Sequence, residues 1–200
     1  MNPTETILAI VDLAGAPLKG RTTLQKLAYF ASVNGLSDIS FRPHYYGPFS
    51  DEVSQTSGVL SALGLLTEKV IITNERSDGW LRSVSGDIRA YTYSLTREGR
   101  EAAADVRSLH RAEWQSLERL VTTCRKETGL NPGILATAAK IHFIFTNDPD
   151  SVQSNETVKK AASEFGWKLS ARDISRVGSL LTKLGLPSSP VTRRTATAPA

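Results

Sequence analysis

Two short runs decide the fold of this 200-residue chain: Lys69-Val70-Ile71-Ile72-Thr73 and Ala90-Tyr91-Thr92-Tyr93-Ser94-Leu95. Both are rich in β-branched and aromatic residues, which favour strands, and the second alternates as a half-buried strand does. Because consecutive strands usually pair, we predict an antiparallel hairpin with a long polar loop between the two runs. Thr96 follows the second run and is suited to cap a helix that begins at Arg97.

Three helical segments are predicted before the hairpin. The first two end at glycine-containing stops near residues 15 and 35. After a short extended piece and a Gly47-Pro48 turn, Ser50 is positioned to cap the third helix, which is expected to bury Val53, Leu60 and Leu63. The order of helix, helix, short strand, helix, hairpin and helix predicts an N-terminal winged helix-turn-helix domain over residues 1–105, with a two- to three-stranded wing.

The rest of the chain has a helical pattern. No proline occurs between residues 97 and 127, and the spacing of the apolar side chains indicates one long amphipathic helix or two abutting ones. That apolar row consists of Ala102, Val106, Leu109, Leu117, Leu120 and Cys124. Three more helices are predicted at residues 134–145, 156–165 and 171–184. We therefore expect an α-dominated α+β fold, with a helical C-terminal region over residues 106–186 and a disordered tail over residues 187–200.

The composition excludes several classes of protein. Hydrophobic residues make up 40% and charged residues 22%, as in soluble globular chains. No apolar run approaches the roughly 20 residues that span a bilayer, and no signal peptide is expected at the N-terminus. A single cysteine, Cys124, allows no internal disulfide, so we predict a cytoplasmic location.

The charge pattern disfavours a strong nucleic-acid binder. The formal net charge is +4, and residues 1–100 carry ten basic and ten acidic side chains. The small surplus is therefore interpreted as spread thinly along the chain, whereas phosphate binding requires a clustered basic face.

No pattern of catalytic or metal-binding residues is found. His44, His110 and His142 do not have the spacing of metal ligands, and Cys124 is interpreted as a core thiol because it lies on the apolar face of a predicted helix. Nucleotide-binding loops and nucleophile motifs are absent from the sequence. We therefore expect no enzyme activity, no cofactor and no metal site.

Four motifs carry a resemblance to a known family. They are Gly20-Arg21-Thr22-Thr23-Leu24-Gln25-Lys26-Leu27-Ala28-Tyr29-Phe30, His44-Tyr45-Tyr46-Gly47-Pro48-Phe49-Ser50, Leu63-Gly64-Leu65-Leu66 and Tyr93-Ser94-Leu95-Thr96-Arg97-Glu98-Gly99. In this order the chain resembles the YwgA-like family of bacterial and archaeal proteins and, more distantly, the phage-associated Panacea antitoxin domain. The resemblance covers roughly residues 5–105. It implies a winged-helix-like fold in prokaryotic or phage genomes, often in defence or toxin–antitoxin settings, where Panacea-type domains neutralise toxins by protein contact.

The first functional hypothesis is a non-catalytic protein-binding component, which acts as an antitoxin-like protein or as a defence-associated adaptor. This hypothesis implies a protein partner, and it is also compatible with a homodimer. Tyr45 and Tyr46 lie in an aromatic-rich segment, and Trp114 lies outside the main apolar row and is expected to be exposed. Tyrosine and tryptophan are enriched among binding hot spots, so these three residues are the candidate partner-binding residues. Alternatively, Tyr45, Tyr46 and Phe49 pack the junction between two helices.

The second functional hypothesis is a winged-helix transcriptional regulator that contacts duplex DNA through Gln55, Arg76, Arg82 and Arg89. The third helix contains no Lys or Arg and begins with Asp51 and Glu52, whose charges oppose phosphate binding. We therefore expect weak and salt-sensitive DNA affinity at best.

Overall fold

The computed structural model describes residues 1–15, 17–73, 88–147 and 154–188, and it has an α-dominated α+β fold, which confirms the predicted fold class. These residues form eight helices and a three-stranded sheet. In chain order the elements are α1 (Pro3–Ala14), β1 (Leu18–Lys19), α2 (Arg21–Val33), α3 (Asp51–Ala62), β2 (Leu66–Thr73), β3 (Ile88–Leu95), α4 (Arg97–Leu109), α5 (Arg111–Thr128), α6 (Pro132–Asn147), α7 (Asn155–Glu164) and α8 (Ala171–Lys183).

The sheet has the strand order β1-β3-β2, and both pairs are antiparallel. Lys69 lies opposite Thr92 and Val70 lies opposite Tyr91, so the predicted hairpin is confirmed. The loop between its strands, residues 74–87, lies outside the described residues.

Strand β1 was not expected from the sequence. Leu18 lies opposite Tyr93, and the N–H of Gly20 donates a hydrogen bond to the carbonyl oxygen of Tyr91 at 2.7 Å. Gly20 has φ of 90°, a left-handed value that favours glycine and turns the chain from β1 into α2. A strand of two residues is too short to produce an alternating pattern.

The chain forms two compact units. The first comprises Met1–Phe41 and Ser50–Thr122, and the second comprises Arg42–Phe49 and Thr123–Ala200. Side chains at most 2% exposed form the core of the first unit, among them Ile7, Ile10, Leu24, Leu27, Phe30, Leu60, Leu66 and Tyr93. The corresponding core of the second unit includes Cys124, Leu135, Ile141, Val158, Trp167, Val177 and Leu181.

The division into units also changes the interpretation of the charge. The second unit contains twelve basic and six acidic side chains, a net charge of +6, whereas the first contains twelve basic and fourteen acidic, a net charge of −2. The expectation of a thinly spread surplus is therefore wrong. It arose because halves of the sequence do not coincide with the units: residues 101–122, with three basic and four acidic side chains, belong to the first unit, and Arg42 belongs to the second.

Two predicted caps are confirmed, and one predicted core residue is exposed. The Ser50 side chain accepts from the N–H of Val53, and the Thr96 side chain accepts from the N–H of Gly99. Leu63, expected in the core, is 67% exposed because it follows the last turn of α3, whose buried residues are Val53, Ser57 and Leu60.

The apolar stretch after residue 97 forms two helices rather than one. α4 ends at Leu109, and His110 (φ −117°, ψ 49°) interrupts the helix before α5 begins. Leu109 is 77% exposed although the sequence placed it in the apolar row, because the buried row of α4 consists of Gly99, Ala103 and Val106. No helix within the described ranges is both long and apolar enough to cross a membrane.

Candidate functional site

The loop Arg42–Phe49 lies between α2 and α3 in the sequence and is closed at its base by backbone hydrogen bonds. The N–H of Arg42 donates to the carbonyl oxygen of Phe49 at 2.9 Å. In return, the N–H of Phe49 donates to the carbonyl oxygen of Arg42 at 2.8 Å. Near the tip, the N–H of Gly47 donates to the carbonyl oxygen of His44 at 2.9 Å. Three hydrogen bonds thus order the backbone of an eight-residue loop.

An indole group from a distant part of the sequence holds the tip of this loop. Trp167 is 2% exposed, and its Nε1–H donates to the carbonyl oxygen of His44 at 2.7 Å. The Phe165 ring stacks on the indole with a centroid separation of 4.8 Å, and Phe143 meets it edge-on at 5.9 Å. His44 and Trp167 are 123 positions apart, so no local pattern could have linked them.

Three aromatic side chains of the second unit are exposed, and together we call them the aromatic surface: Tyr45 (69%), Tyr46 (41%) and Phe165 (37%). The rings of Tyr45 and Tyr46 meet edge to face at 4.9 Å and 89°. Tyr45 and Tyr46 are therefore not packed into the junction between helices. Phe49 is partly covered, with the His44 ring at 5.0 Å from its own. Adjacent exposed aromatic rings such as those of Tyr45 and Tyr46 are typical of surfaces that bind another molecule.

Cationic side chains lie beside the same aromatic groups. The Lys140 ammonium is 5.5 Å from the centre of the Trp167 ring, and the Arg42 guanidinium is 5.7 Å from that of Phe49. Partial burial lowers the pKa of Lys140, because the charged form loses hydration. Among the residues that the structure describes, no carboxylate lies within ion-pair distance of Lys140.

Trp114, the third residue expected in a partner interface, is 3% exposed, so the expectation that it lies at the surface is wrong. It is followed at helical spacing by Leu117, Val121 and Cys124, all at most 1% exposed. Trp114 is therefore the first residue of the buried row of α5. Trp114 also lines a surface cleft of about 360 Å³ with Arg107 and Arg111.

Gln25 joins α2 to the N-terminus of α3. Its Nε2 donates to the carbonyl oxygen of Ser50 at 2.8 Å and to the Ser54 hydroxyl at 3.1 Å. Its Oε1 accepts from the N–H of Ser50 at 3.0 Å. Gln25 is 4% exposed, and so both of its polar atoms are used inside the protein. The motifs at residues 20–30 and 44–50 thus meet at Gln25 and Ser50.

The other two motifs form a second junction, between the end of α3 and the start of α4. The N–H of Thr96 donates to the carbonyl oxygen of Leu65 at 3.1 Å. The Thr96 hydroxyl donates to the carbonyl oxygen of Gly64 at 2.7 Å. Gly99 packs against the carbonyl group of Leu65, where a Cβ atom would overlap it. All four motifs therefore include residues that hold elements of the fold together.

A cleft of about 270 Å³ in the first unit is lined by Arg21, Gln25, Glu68 and Tyr93, among others. Arg21 Nη2 lies 2.8 Å from Glu68 Oε1, and its guanidinium lies 3.8 Å above the Tyr91 ring. Burial and the nearby Glu68 carboxylate raise the pKa of the Tyr93 hydroxyl to about 12, so it keeps its proton at neutral pH. The two charged side chains that line this cleft therefore pair with each other.

Of the four residues predicted for DNA contact, Gln55 is the one whose side chain the structure describes. Gln55 is exposed on α3, and Arg89 belongs to β3. Arg76 and Arg82 lie outside the described residues. The exposed face of α3 also carries Val59, which is 55% exposed and offers phosphate groups no hydrogen bond.

Two titratable groups in the core of the second unit are held in uncharged states. Burial raises the pKa of the Cys124 thiol to about 12 and lowers the pKa of the His142 imidazole to about 4. Within the described residues, no group of three or more His, Cys, Asp or Glu side chains is placed to hold a metal ion.

The sequence was also compared with known proteins. No protein-family model matches the chain, and no curated protein matches it significantly.

Proposed function

We propose that this chain is a non-catalytic protein-binding component of a prokaryotic or phage-associated system, acting as an antitoxin-like protein or a defence-associated adaptor. The observation that carries the proposal is the exposure of Tyr45 and Tyr46 on a loop whose backbone is already ordered. Such a loop loses little conformational entropy on binding, and tyrosine is enriched among binding hot spots. The resemblance to the YwgA-like family and the Panacea antitoxin domain supports the biological setting.

The state of the most reactive side chains supports a role without catalysis. The Cys124 thiol is fully buried and protonated, which prevents it from acting as a nucleophile. His142 is 3% exposed in the core, where a substrate has no access to its ring.

Site-specific photo-crosslinking tests the proposal. A photoreactive phenylalanine analogue is placed at Tyr46 or, as a control, at Leu109, an exposed apolar position in the first unit. Expressed in the native host, the Tyr46 derivative is expected to crosslink to a defined protein that the Leu109 derivative does not capture. The captured protein is then purified, and its affinity for the unmodified chain is measured by calorimetry.

The calorimetric comparison decides the outcome. The Tyr45→Ser/Tyr46→Ser variant is expected to bind the captured protein at least about 30-fold more weakly, as for a hot spot worth about 2 kcal/mol. The Leu109→Ser variant is expected to bind it normally. Equal binding by both variants and the unmodified chain, with all three folded, would overturn the proposal.

The alternative is a winged-helix transcriptional regulator. The element order α1-β1-α2-α3-β2-β3 and the sheet order β1-β3-β2 favour this alternative, because a winged helix-turn-helix domain has a hairpin after its third helix. The exposed acids Asp51 and Glu52 at the start of α3 disfavour it. Sequence-selective, sub-micromolar binding of duplex DNA that Gln55→Ala abolishes would make the regulator the better assignment.

A further inference from the structure

We infer that the aromatic surface binds an acidic protein segment, one that combines several Asp or Glu side chains with the apolar groups that pack on Tyr45 and Tyr46. This inference rests on the proposed protein-binding function and assigns the chemistry of the partner. Its basis is the charge of the second unit together with the position of Lys140.

The charge of the second unit supplies the first argument. The unit that carries the aromatic surface has a net charge of +6, although the chain as a whole has only +4. A surface of one sign attracts partners of the opposite sign and repels partners of its own sign. The complementary partner is therefore acidic.

Lys140 supplies the second, local argument. Its ammonium is half-buried beside the Trp167 ring, and no carboxylate of the described residues pairs with it. A partly buried charge without a counter-ion costs free energy, which an incoming carboxylate would recover. Trp167 also holds the loop through the carbonyl oxygen of His44, so an acidic group at Lys140 would lie close to the aromatic surface.

The surrounding residues keep the local charge positive. Lys168 follows Trp167 and is exposed, and Arg42 lies at the base of the loop. Among the described residues within two sequence positions of Arg42, Phe165, Trp167 or Lys168, one exposed acid occurs, Glu164. The balance of the side chains around Trp167 and the loop is thus basic.

The geometry of the aromatic rings favours a protein segment over single-stranded nucleic acid. Binding of successive bases requires aromatic faces that remain open for stacking. Tyr45 and Tyr46 instead meet edge to face at 89°, so one ring covers part of the other. Such a pair suits insertion between the side chains of a protein partner.

The test uses the full chain and a fluorescent random copolymer of glutamate and tyrosine, with oligothymidylate of similar length as the second probe. The Lys140→Gln/Lys168→Gln variant removes the lysine beside the indole and the exposed lysine that follows Trp167 in the sequence. The Arg172→Gln/Arg176→Gln variant is the matched control, because it removes the same charge from exposed positions on α8. Anisotropy gives the affinities, and thermal unfolding checks that each variant is folded.

We expect the copolymer to bind, with at least about a tenfold loss of affinity in Lys140→Gln/Lys168→Gln and less than about a twofold loss in the control. Tighter binding of oligothymidylate would overturn the inference in favour of nucleic acid. Equal losses in the two variants would overturn it in favour of unspecific charge attraction. A dimer of the chain that Tyr45→Ser/Tyr46→Ser dissociates in sedimentation would overturn it in favour of self-association.

The crosslinked protein separates this inference from the proposed function. If Tyr45→Ser/Tyr46→Ser weakens binding of that protein while Lys140→Gln/Lys168→Gln does not, the partner is bound but its docking segment is not acidic. If neither variant weakens binding, the protein-binding function assigned to this loop fails as well.

Discussion

The carbonyl oxygen of Leu65 occupies the space that a side chain on residue 99 would need. Gly99 lies in the first turn of α4, and Leu65 lies just before β2. The two backbones can approach only because residue 99 has no Cβ atom. The helix and the strand are further joined by Thr96, whose N–H donates to the same carbonyl oxygen.

This contact predicts opposite effects of two glycine substitutions. Gly99→Ala forces α4 and the Leu65 backbone apart and is expected to lower the free energy of unfolding by about 2–4 kcal/mol. Gly58→Ala is the matched control, because Gly58 lies inside α3 with open space around it. It is expected to raise stability by about 0.5–1 kcal/mol through helix propensity. Urea unfolding of both variants checks the pair, and similar stabilities would contradict the interpretation.

The second prediction concerns Gln25. Replacing it with leucine leaves the buried N–H and carbonyl groups of Ser50 without their side-chain partner, which is expected to cost about 2 kcal/mol or more. Gln55→Leu, an exposed change on α3, is expected to stay within about 0.5 kcal/mol of the unmodified protein. Faster hydrogen exchange at the Ser50 amide in the Gln25 variant alone would verify the mechanism. Equal unfolding midpoints for the two variants would exclude it.

The third prediction is a pH dependence of stability that originates at His142. Its folded-state pKa of about 4 lies below the unfolded value of about 6.5, so only the unfolded chain binds this proton between those values. Stability is therefore expected to decrease as the pH falls through this range, by about 3 kcal/mol at most. His142→Phe removes this component, so the difference in free energy of unfolding between the variant and the unmodified protein should change with pH. If this difference in free energy stays constant from neutral pH to about pH 4, the assignment to His142 is refuted.

The fourth prediction concerns the accessibility of Cys124. The thiol is 0% exposed and its pKa is raised to about 12, so Ellman's reagent is expected to modify it only when the protein unfolds. The Cys124→Ser/Ser108→Cys variant provides the control, because residue 108 is exposed on α4 and should react rapidly in the native state. Rapid labelling of the native unmodified protein would show that the thiol is not enclosed.

Local signals in the sequence predicted much of the fold. The caps at Ser50 and Thr96 and the pairing of β2 with β3 depend on side chains within a few positions of each other. Trp114 and Leu109 were misplaced because the predicted row ran through Ala102 and Leu109, whereas the buried row runs through Ala103 and Trp114. Helical periodicity alone does not decide between two adjacent rows of one helix.

The exposed tyrosines of the candidate site could be predicted from the sequence, but the residues that support them could not. The exposure of Tyr45 and Tyr46 agrees with the sequence-based expectation, since a Gly-Pro turn beside aromatic residues indicates a loop that presents them. The contributions of Trp167, Phe165 and Lys140 were missed because they depend on contacts between residues far apart in sequence. The Phe165-Gly166-Trp167 sequence after α7 was a weak signal, because a glycine at this position indicates no more than the end of a helix.

The hydrogen bond between Trp167 and His44 has a consequence for cutting the protein into fragments. The loop Arg42–Phe49 is encoded inside the first unit but belongs to the second, so the chain passes between the units three times. No single cleavage of the polypeptide yields both units intact. A fragment that stops before residue 123 keeps the two tyrosines but loses the indole that orders their loop. Loss of binding by such a fragment would therefore reveal nothing about which unit contacts the partner.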